Sequence, residues 1–199
     1  MKKISVILFA LMMIFGTANM ASASFTVYTV QSDWETAVGS WLTENFNDGS
    51  LNYGINGIAS DFGGSIGSGV WYDRVIPGTS PGGPATTSIT FNPNIYAFGG
   101  TWDLAGPGGI GTNIAVSYDG TDVGQILGTT SGTFWGFVAD TTFSSVLLAA
   151  GNSSENASAV QETYTLDNMV YSGKAPEPAM LLLFGAGLLG LGLLRKFKQ

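Results

Sequence analysis

Between residues 24 and 173 the apolar residues come in short runs, most of them four to eight residues long, and Gly, Ser, Thr and Asn separate the runs throughout. Runs of that length are too short for most globular helices and suit strands closed by turns. In Asn113–Tyr118, Ile114, Val116 and Tyr118 share one face, the alternation of a half-buried antiparallel strand, and Asp119-Gly120 follows as a hairpin turn. Phe25–Val30, Trp41–Phe46, Val70–Ile76, Thr86–Phe91, Ile95–Trp102, Val123–Leu127, Thr133–Ala139, Phe143–Ala149 and Glu162–Tyr171 read as further strands. Asp61–Gly69, Pro77–Ala85 and Gly151–Ala159 read as loops. Ser32-Asp33-Trp34-Glu35 fits a capping box that opens one short helix, ending at Gly39. Strands at this spacing, with no helical period between them, predict an all-β fold, a β-sandwich of jelly-roll type.

Charge and missing residue types narrow the chemistry. The span 24–173 holds thirteen Asp or Glu against one basic residue, Arg74, a net of −12. Such a surface repels phosphate backbones and excludes nucleic acid as a partner. Cysteine and histidine are both absent from the 199 residues. No disulfide supports the fold, the commonest general base is missing, and any bound metal must take oxygen ligands. Gly106-Pro107-Gly108-Gly109-Ile110-Gly111 matches a dinucleotide fingerprint, but a strand pattern follows it where a helix is required. A glycosidase needs two carboxylates across a cleft, and no strand carries an E-x-D-x-x-E pattern. The chain reads as non-enzymatic.

Both termini read as addresses. Lys2 and Lys3, the apolar stretch Ile4–Phe15 and the small residues Ala21-Ser22-Ala23 form a signal peptide over residues 1–23. The segment 179–194 is sixteen uncharged residues, about 24 Å as a helix, and Arg195, Lys196 and Lys198 follow it. That length is short for a bilayer core of about 30 Å but inserts if the flanking residues snorkel. The basic end then stays cytoplasmic, and the domain 24–173 is exported and tethered by its C-terminus through the linker 174–178.

Pro176-Glu177-Pro178, the Leu/Gly-rich run and Arg195-Lys196 together resemble a PEP-CTERM sorting signal. The resemblance implies recognition by an exosortase, a membrane-embedded transpeptidase, with processing near the Pro-Glu-Pro and release or attachment at the cell surface. Phe98-Gly99-Gly100, Gly136–Asp140 and Tyr164–Met169 resemble segments of exported domains bearing such tails, which look like jelly-roll carbohydrate-binding modules. These modules often hold a structural Ca2+ between an early acidic strand end and an Asp of the final strand. The resemblance implies calcium at Glu44, Asp48 and Asp167; the alternative is that these are solvated turn and strand-edge residues.

Three roles remain for the exported domain. The first is a structural surface or matrix protein associated with exopolysaccharide; the others are a module that binds the exopolysaccharide and a glycan hydrolase. An exposed aromatic row beside a groove favours binding, and two carboxyl groups about 5–10 Å apart in a cleft favour hydrolysis. Trp71 and Tyr72 are the expected sugar platform, because adjacent strand residues face opposite sides and one is then exposed.

Overall fold

The computed structural model describes residues 24–76, 84–104, 113–128, 130–151 and 162–173. The expected signal peptide, the linker 174–178, the terminal apolar run and the basic tail lie outside the described residues, as do the Gly106–Gly111 motif and residues 152–161. Among the described residues no helix is long and apolar enough to cross a membrane.

The described elements are β1 (Phe25–Tyr28), α1 (Gln31–Val38), β2 (Leu42–Glu44), β3 (Ile55–Ser60), β4 (Ser65–Gly67), β5 (Val70–Val75), β6 (Thr87–Asp103), β7 (Asn113–Tyr118), β8 (Thr121–Leu127), β9 (Ser131–Ala150) and β10 (Glu162–Ser172). They form a jelly-roll β-sandwich in which every strand pair is antiparallel. One sheet runs β4-β5-β10, then the second half of β6, the first half of β9, and β1; β2 joins it on β10. The other runs β3, the first half of β6, the second half of β9, β7 and β8.

β6 and β9 therefore pass through both sheets, where the sequence reads two separate strands for each. The corner is visible in the pairing. Thr90 lies opposite Ser145, but Ile95 lies opposite Phe143, and Ala97 opposite Val138, so each strand carries extra residues in turn. Bulges bend a strand sharply without ending it. Asn92-Pro93-Asn94 and Asp140–Thr142, which separate the strands expected from the sequence, are the bends inside continuous strands.

Two other expectations need correction. Ser32 does not cap the helix: α1 begins at Gln31 after Val30, with no side-chain cap bond. Ser32 is inside the helix, where its carbonyl accepts from the Thr36 hydroxyl at 2.7 Å. Gly39 ends the helix as expected, at φ +73° with its N–H on the Glu35 carbonyl at 2.8 Å. Ile55–Ser60 is a strand that the sequence pattern hides, because Asn56 and Gly57 interrupt the apolar alternation. Its partner is β6, and a bulge between Ile55 and Gly57 absorbs the irregularity. The Gly-rich stretch 61–69 likewise contains β4, which pairs with β5.

The core between the sheets is dominated by aromatic rings. Phe137 stacks on Tyr118 and Phe143, and Phe98 meets Phe137 and Trp102 edge-on or tilted. Ile114, Val116 and Tyr118 all point into this core, as their alternation requires. A second cluster lies on the outer face of the first sheet, where α1 covers it: Trp34, fully buried, packs with Tyr96, Phe134 and Val170. The indole N–H of Trp34 donates to the Phe137 carbonyl at 3.2 Å. β9 is thus buried on both faces from Phe134 to Phe137, and the helix explains why.

Close strand approach fixes the glycines at Gly99 and Gly136, which face each other across β6 and β9. A Cβ on Gly136 would sit 2.8 Å from both the Gly99 Cα and the Phe98 carbonyl oxygen. Far from them, Asp119 closes the β7–β8 hairpin at φ +43°. Its carboxylate accepts the N–H groups of Ser144 and Ser145, at 3.0 and 2.9 Å. Burial alone would raise its pKa, but these bonds and the two serine hydroxyls outweigh it and hold the carboxyl below its ordinary range.

Candidate ligand-binding groove

The C-terminal end of β10 meets the segment before β2 and the loop before β3, and between them lies a groove of about 320 Å³. Trp41, Leu42 and Tyr53 form its exposed wall, and Pro93, Ile95 and Tyr171 its apolar floor. Trp41 is 37 % exposed and Tyr53 80 % exposed. The other four tryptophans are at most 6 % exposed. Among the described lining residues none is charged, and the polar groups are backbone groups, the indole N–H of Trp41 and the hydroxyls of Ser40, Tyr53, Tyr171 and Ser172.

The fold holds the Trp41 ring and the backbone on both sides of the groove. Trp41 packs edge-on against buried Trp34, with ring centroids 6.3 Å apart. Tyr171 donates its hydroxyl to the Tyr53 carbonyl at 2.6 Å, and Ser172 donates to the Ser40 carbonyl at 2.5 Å. Burial, followed by the nearby charge of Glu44, pushes the Tyr171 pKa up to about 12, so the hydroxyl remains a donor well into alkaline pH. Gly54 has φ +95°, and a Cβ there would lie 3.1 Å from the Tyr171 ring. Glycine thus lets the Tyr53 loop close on Tyr171 in a backbone conformation that other residues rarely adopt.

Glu44 completes the support. It is 1 % exposed, and its carboxylate accepts the Phe46 N–H at 2.6 Å and the Asn52 N–H at 2.7 Å. Two backbone donors thereby fasten both ends of the loop that leads to Tyr53. Asp48, at the exposed crest of this loop, accepts the N–H and hydroxyl of Ser50, and these bonds lower its pKa. Asp167 sits at the bulge of β10 and accepts the N–H of Asn168 at 2.6 Å. Among the described residues no group of three or more carboxylates is arranged to hold a metal ion. Glu44, Asp48 and Asp167 each accept from donors of their own loop or strand.

Of the expected pair Trp71 and Tyr72, Trp71 faces inward. It is 6 % exposed and belongs to the core, so its face is not open to a ligand. Its neighbour Tyr72 takes the opposite side of β5 and is half-buried at a separate, smaller pocket. Trp41 and Tyr53 were both visible as aromatics in the sequence. The available signal was their position in the irregular stretches flanking β2, where a ring has no sheet partner to bury it.

No curated protein matches the chain. Residues 174–196 match the family model described as the PEP-CTERM protein-sorting motif, over the Pro-Glu-Pro, the apolar run and the first basic residues. The chain carries a PEP-CTERM sorting motif. It is thereby marked as an exported, sorted protein, and the motif implies processing by an exosortase. Pro176, Glu177, Pro178, Arg195 and Lys196 all fall within the match. Among solved structures, the PEP-CTERM chain resembles a mutant of the family 29 carbohydrate-binding module CBM29-2, at 12 % identity and TM-score 0.42. That alignment covers 77 % of this chain and 87 % of the module. It also resembles CBM86, a low-affinity xylan-binding module from Roseburia intestinalis, at 12 % identity and TM-score 0.37, covering 68 % and 96 %.

Proposed function

We propose that this protein is a non-enzymatic, polysaccharide-binding protein of the cell surface or extracellular matrix. Its ligand is exopolysaccharide, held in the groove of Trp41 and Tyr53. The observation that carries the reading is an aromatic wall, exposed beside an apolar groove whose described lining contains no charged side chain. A sugar ring offers an apolar C–H face and a rim of hydroxyls, which suits an aromatic face bordered by a few hydroxyls and backbone groups. The structural-scaffold reading gives no reason to hold Trp41 and Tyr53 at the surface. Hydrolysis finds no support in a groove whose described lining lacks carboxylates.

Delivery follows the two termini. The signal peptide at 1–23 exports the chain, and the segment 179–194 anchors it in the inner membrane with Arg195 and Lys196 inside. Exosortase then acts near Pro176-Glu177-Pro178, leaving the domain at the surface or in the matrix. The test of the binding reading is retention of the full chain, in detergent micelles, in gels cast with xylan, glucomannan or laminarin. Retention in at least one gel that is lost in Trp41→Ala and Tyr53→Ala supports the groove. Unchanged retention in both variants removes it.

A further inference from the structure

A second concavity lies near the other end of β10. Thr163 and Tyr164 border it, whereas Tyr171 and Ser172 border the groove, eight residues further along and so roughly 25 Å away. It measures about 150 Å³ and is formed by the loop after β3, the start of β4, and Tyr72 to Arg74 of β5. Phe62, 44 % exposed, and half-buried Tyr72 supply aromatic surface. The guanidinium of Arg74 lies 4.5 Å from the centre of the Phe62 ring, so the one cation of residues 24–173 is fixed at this rim.

The pocket is built as deliberately as the groove. The Ser60 hydroxyl accepts the N–H groups of Phe62 and Gly64 at 3.1 and 2.9 Å and donates to the carboxylate of Asp73 at 2.7 Å. Asp73, 9 % exposed, also takes the Arg74 N–H at 2.7 Å and the hydroxyl of Thr87, which in turn accepts from Tyr164 at 2.8 Å. Burial and then the charge of Asp73 push the Tyr164 hydroxyl far above its ordinary range, so it stays a donor. Gly64 is needed for the loop to come this close: a Cβ would lie 2.4 Å from the Trp71 ring and 2.6 Å from the Asp73 carboxyl carbon. Ser60, Asp73, Thr87 and Tyr164 thus form one hydrogen-bonded network beneath the loop that carries Phe62.

We propose that this pocket is a second carbohydrate site that takes a single neutral sugar residue, making the exported domain two-sited. The ligand class rests on the reading of the groove. The size admits one ring, Tyr72 offers a face for its C–H side, Phe62 adds apolar surface at the rim, and Arg74, Ser65 and Thr163 offer polar contacts for its hydroxyls. Neutrality follows from charge: thirteen carboxylates against one guanidinium repel a polyanion before either site can engage it. Two sites this far apart on one rigid strand give avidity on one long polysaccharide or bridge two of them.

The experiment is equilibrium binding of cellohexaose, xylohexaose and laminarihexaose to the full chain in detergent micelles. Unmutated protein, Trp41→Ala and Tyr72→Ala are compared, with circular dichroism confirming that each variant is folded. The expected stoichiometry is two for the unmutated chain with at least one hexaose, and one for each variant. A single site lost in Trp41→Ala and kept in Tyr72→Ala overturns the second site and leaves the groove standing. A single site lost only in Tyr72→Ala supports the pocket and removes the groove. No binding of any hexaose, or tighter binding of an alginate hexamer than of all three, overturns the proposal.

Discussion

Replacing Tyr171 by Phe deletes one oxygen at the point where the groove is fastened to the last strand. The hydroxyl donates to the Tyr53 carbonyl at 2.6 Å, and the ring, 1 % exposed, has Gly54 packed against it. Phe keeps the ring and its contacts with Phe91, so the change isolates the hydrogen bond. Losing such a bond while leaving a partly buried carbonyl short of a donor costs about 1–2 kcal/mol, or about 2–8 °C in melting temperature for a domain of this size. The pH dependence separates this bond from general damage. The folded pKa of Tyr171 is raised to about 12, above the ordinary value near 10. Its contribution is therefore complete below about pH 10 and is lost as pH rises through about 12. Thermal unfolding of the unmutated chain and Tyr171→Phe, followed by circular dichroism from pH 7 to 11.5, reads the difference directly. The gap between them is constant up to about pH 10 and then narrows. A gap below about 0.3 kcal/mol, or one that stays constant across the alkaline range, refutes the bond as an anchor of the groove.

Gly136→Ala forces a Cβ within 2.8 Å of the Gly99 Cα and the Phe98 carbonyl oxygen, and is expected to cost about 1–3 kcal/mol in chemical unfolding. A cost near zero would mean that β6 and β9 separate more easily than their pairing implies. Calcium held by Glu44, Asp48 and Asp167 is expected to raise the melting temperature, with the rise abolished by chelator and in Asp167→Ala; a melting temperature that does not move with calcium would remove the metal site. Deleting Pro176–Pro178 is expected to leave the chain membrane-bound at its unprocessed size on immunoblots, and normal maturation would show that the tripeptide is not the signal.

The sandwich was legible because its inner strands obey a two-residue period: Ile114, Val116 and Tyr118 announce their buried face without any help from context. Where the sequence failed, long-range pairing had decided the outcome. Asn92-Pro93-Asn94 has turn chemistry, yet β3 and β9 flank it and make it a bend within one strand. Ser32 fits a cap by local pattern, but the helix starts two residues earlier, with Val30 as its cap, and buries Trp34 beneath the Trp41 wall. The groove was harder still. Trp71 and Tyr72 looked attractive because strand neighbours face opposite ways, a rule that held, with Trp71 inward and Tyr72 outward. Which aromatics remain exposed depends instead on where the sheet ends, and Trp41 and Tyr53 lie just beyond the pairing of β2 and β3. Glu44 shows the same limit: the two N–H groups that it accepts, from Phe46 and Asn52, lie in a loop whose path the sequence pattern does not give.

The account stands or falls on whether glycan covers the aromatic wall. All five tryptophans are described, and Trp41 alone is more than 6 % exposed, so acrylamide quenching of tryptophan emission reports chiefly on that ring. The full chain in detergent micelles is titrated with xylan, glucomannan and laminarin, and quenching is measured at each step. At least one polysaccharide is expected to shield Trp41, lowering the quenching constant saturably, with Tyr53→Ala weakening the half-point tenfold or more, about 1.4 kcal/mol. Polysaccharide that binds while Trp41 stays fully open to acrylamide would place the ligand elsewhere and contradict the groove.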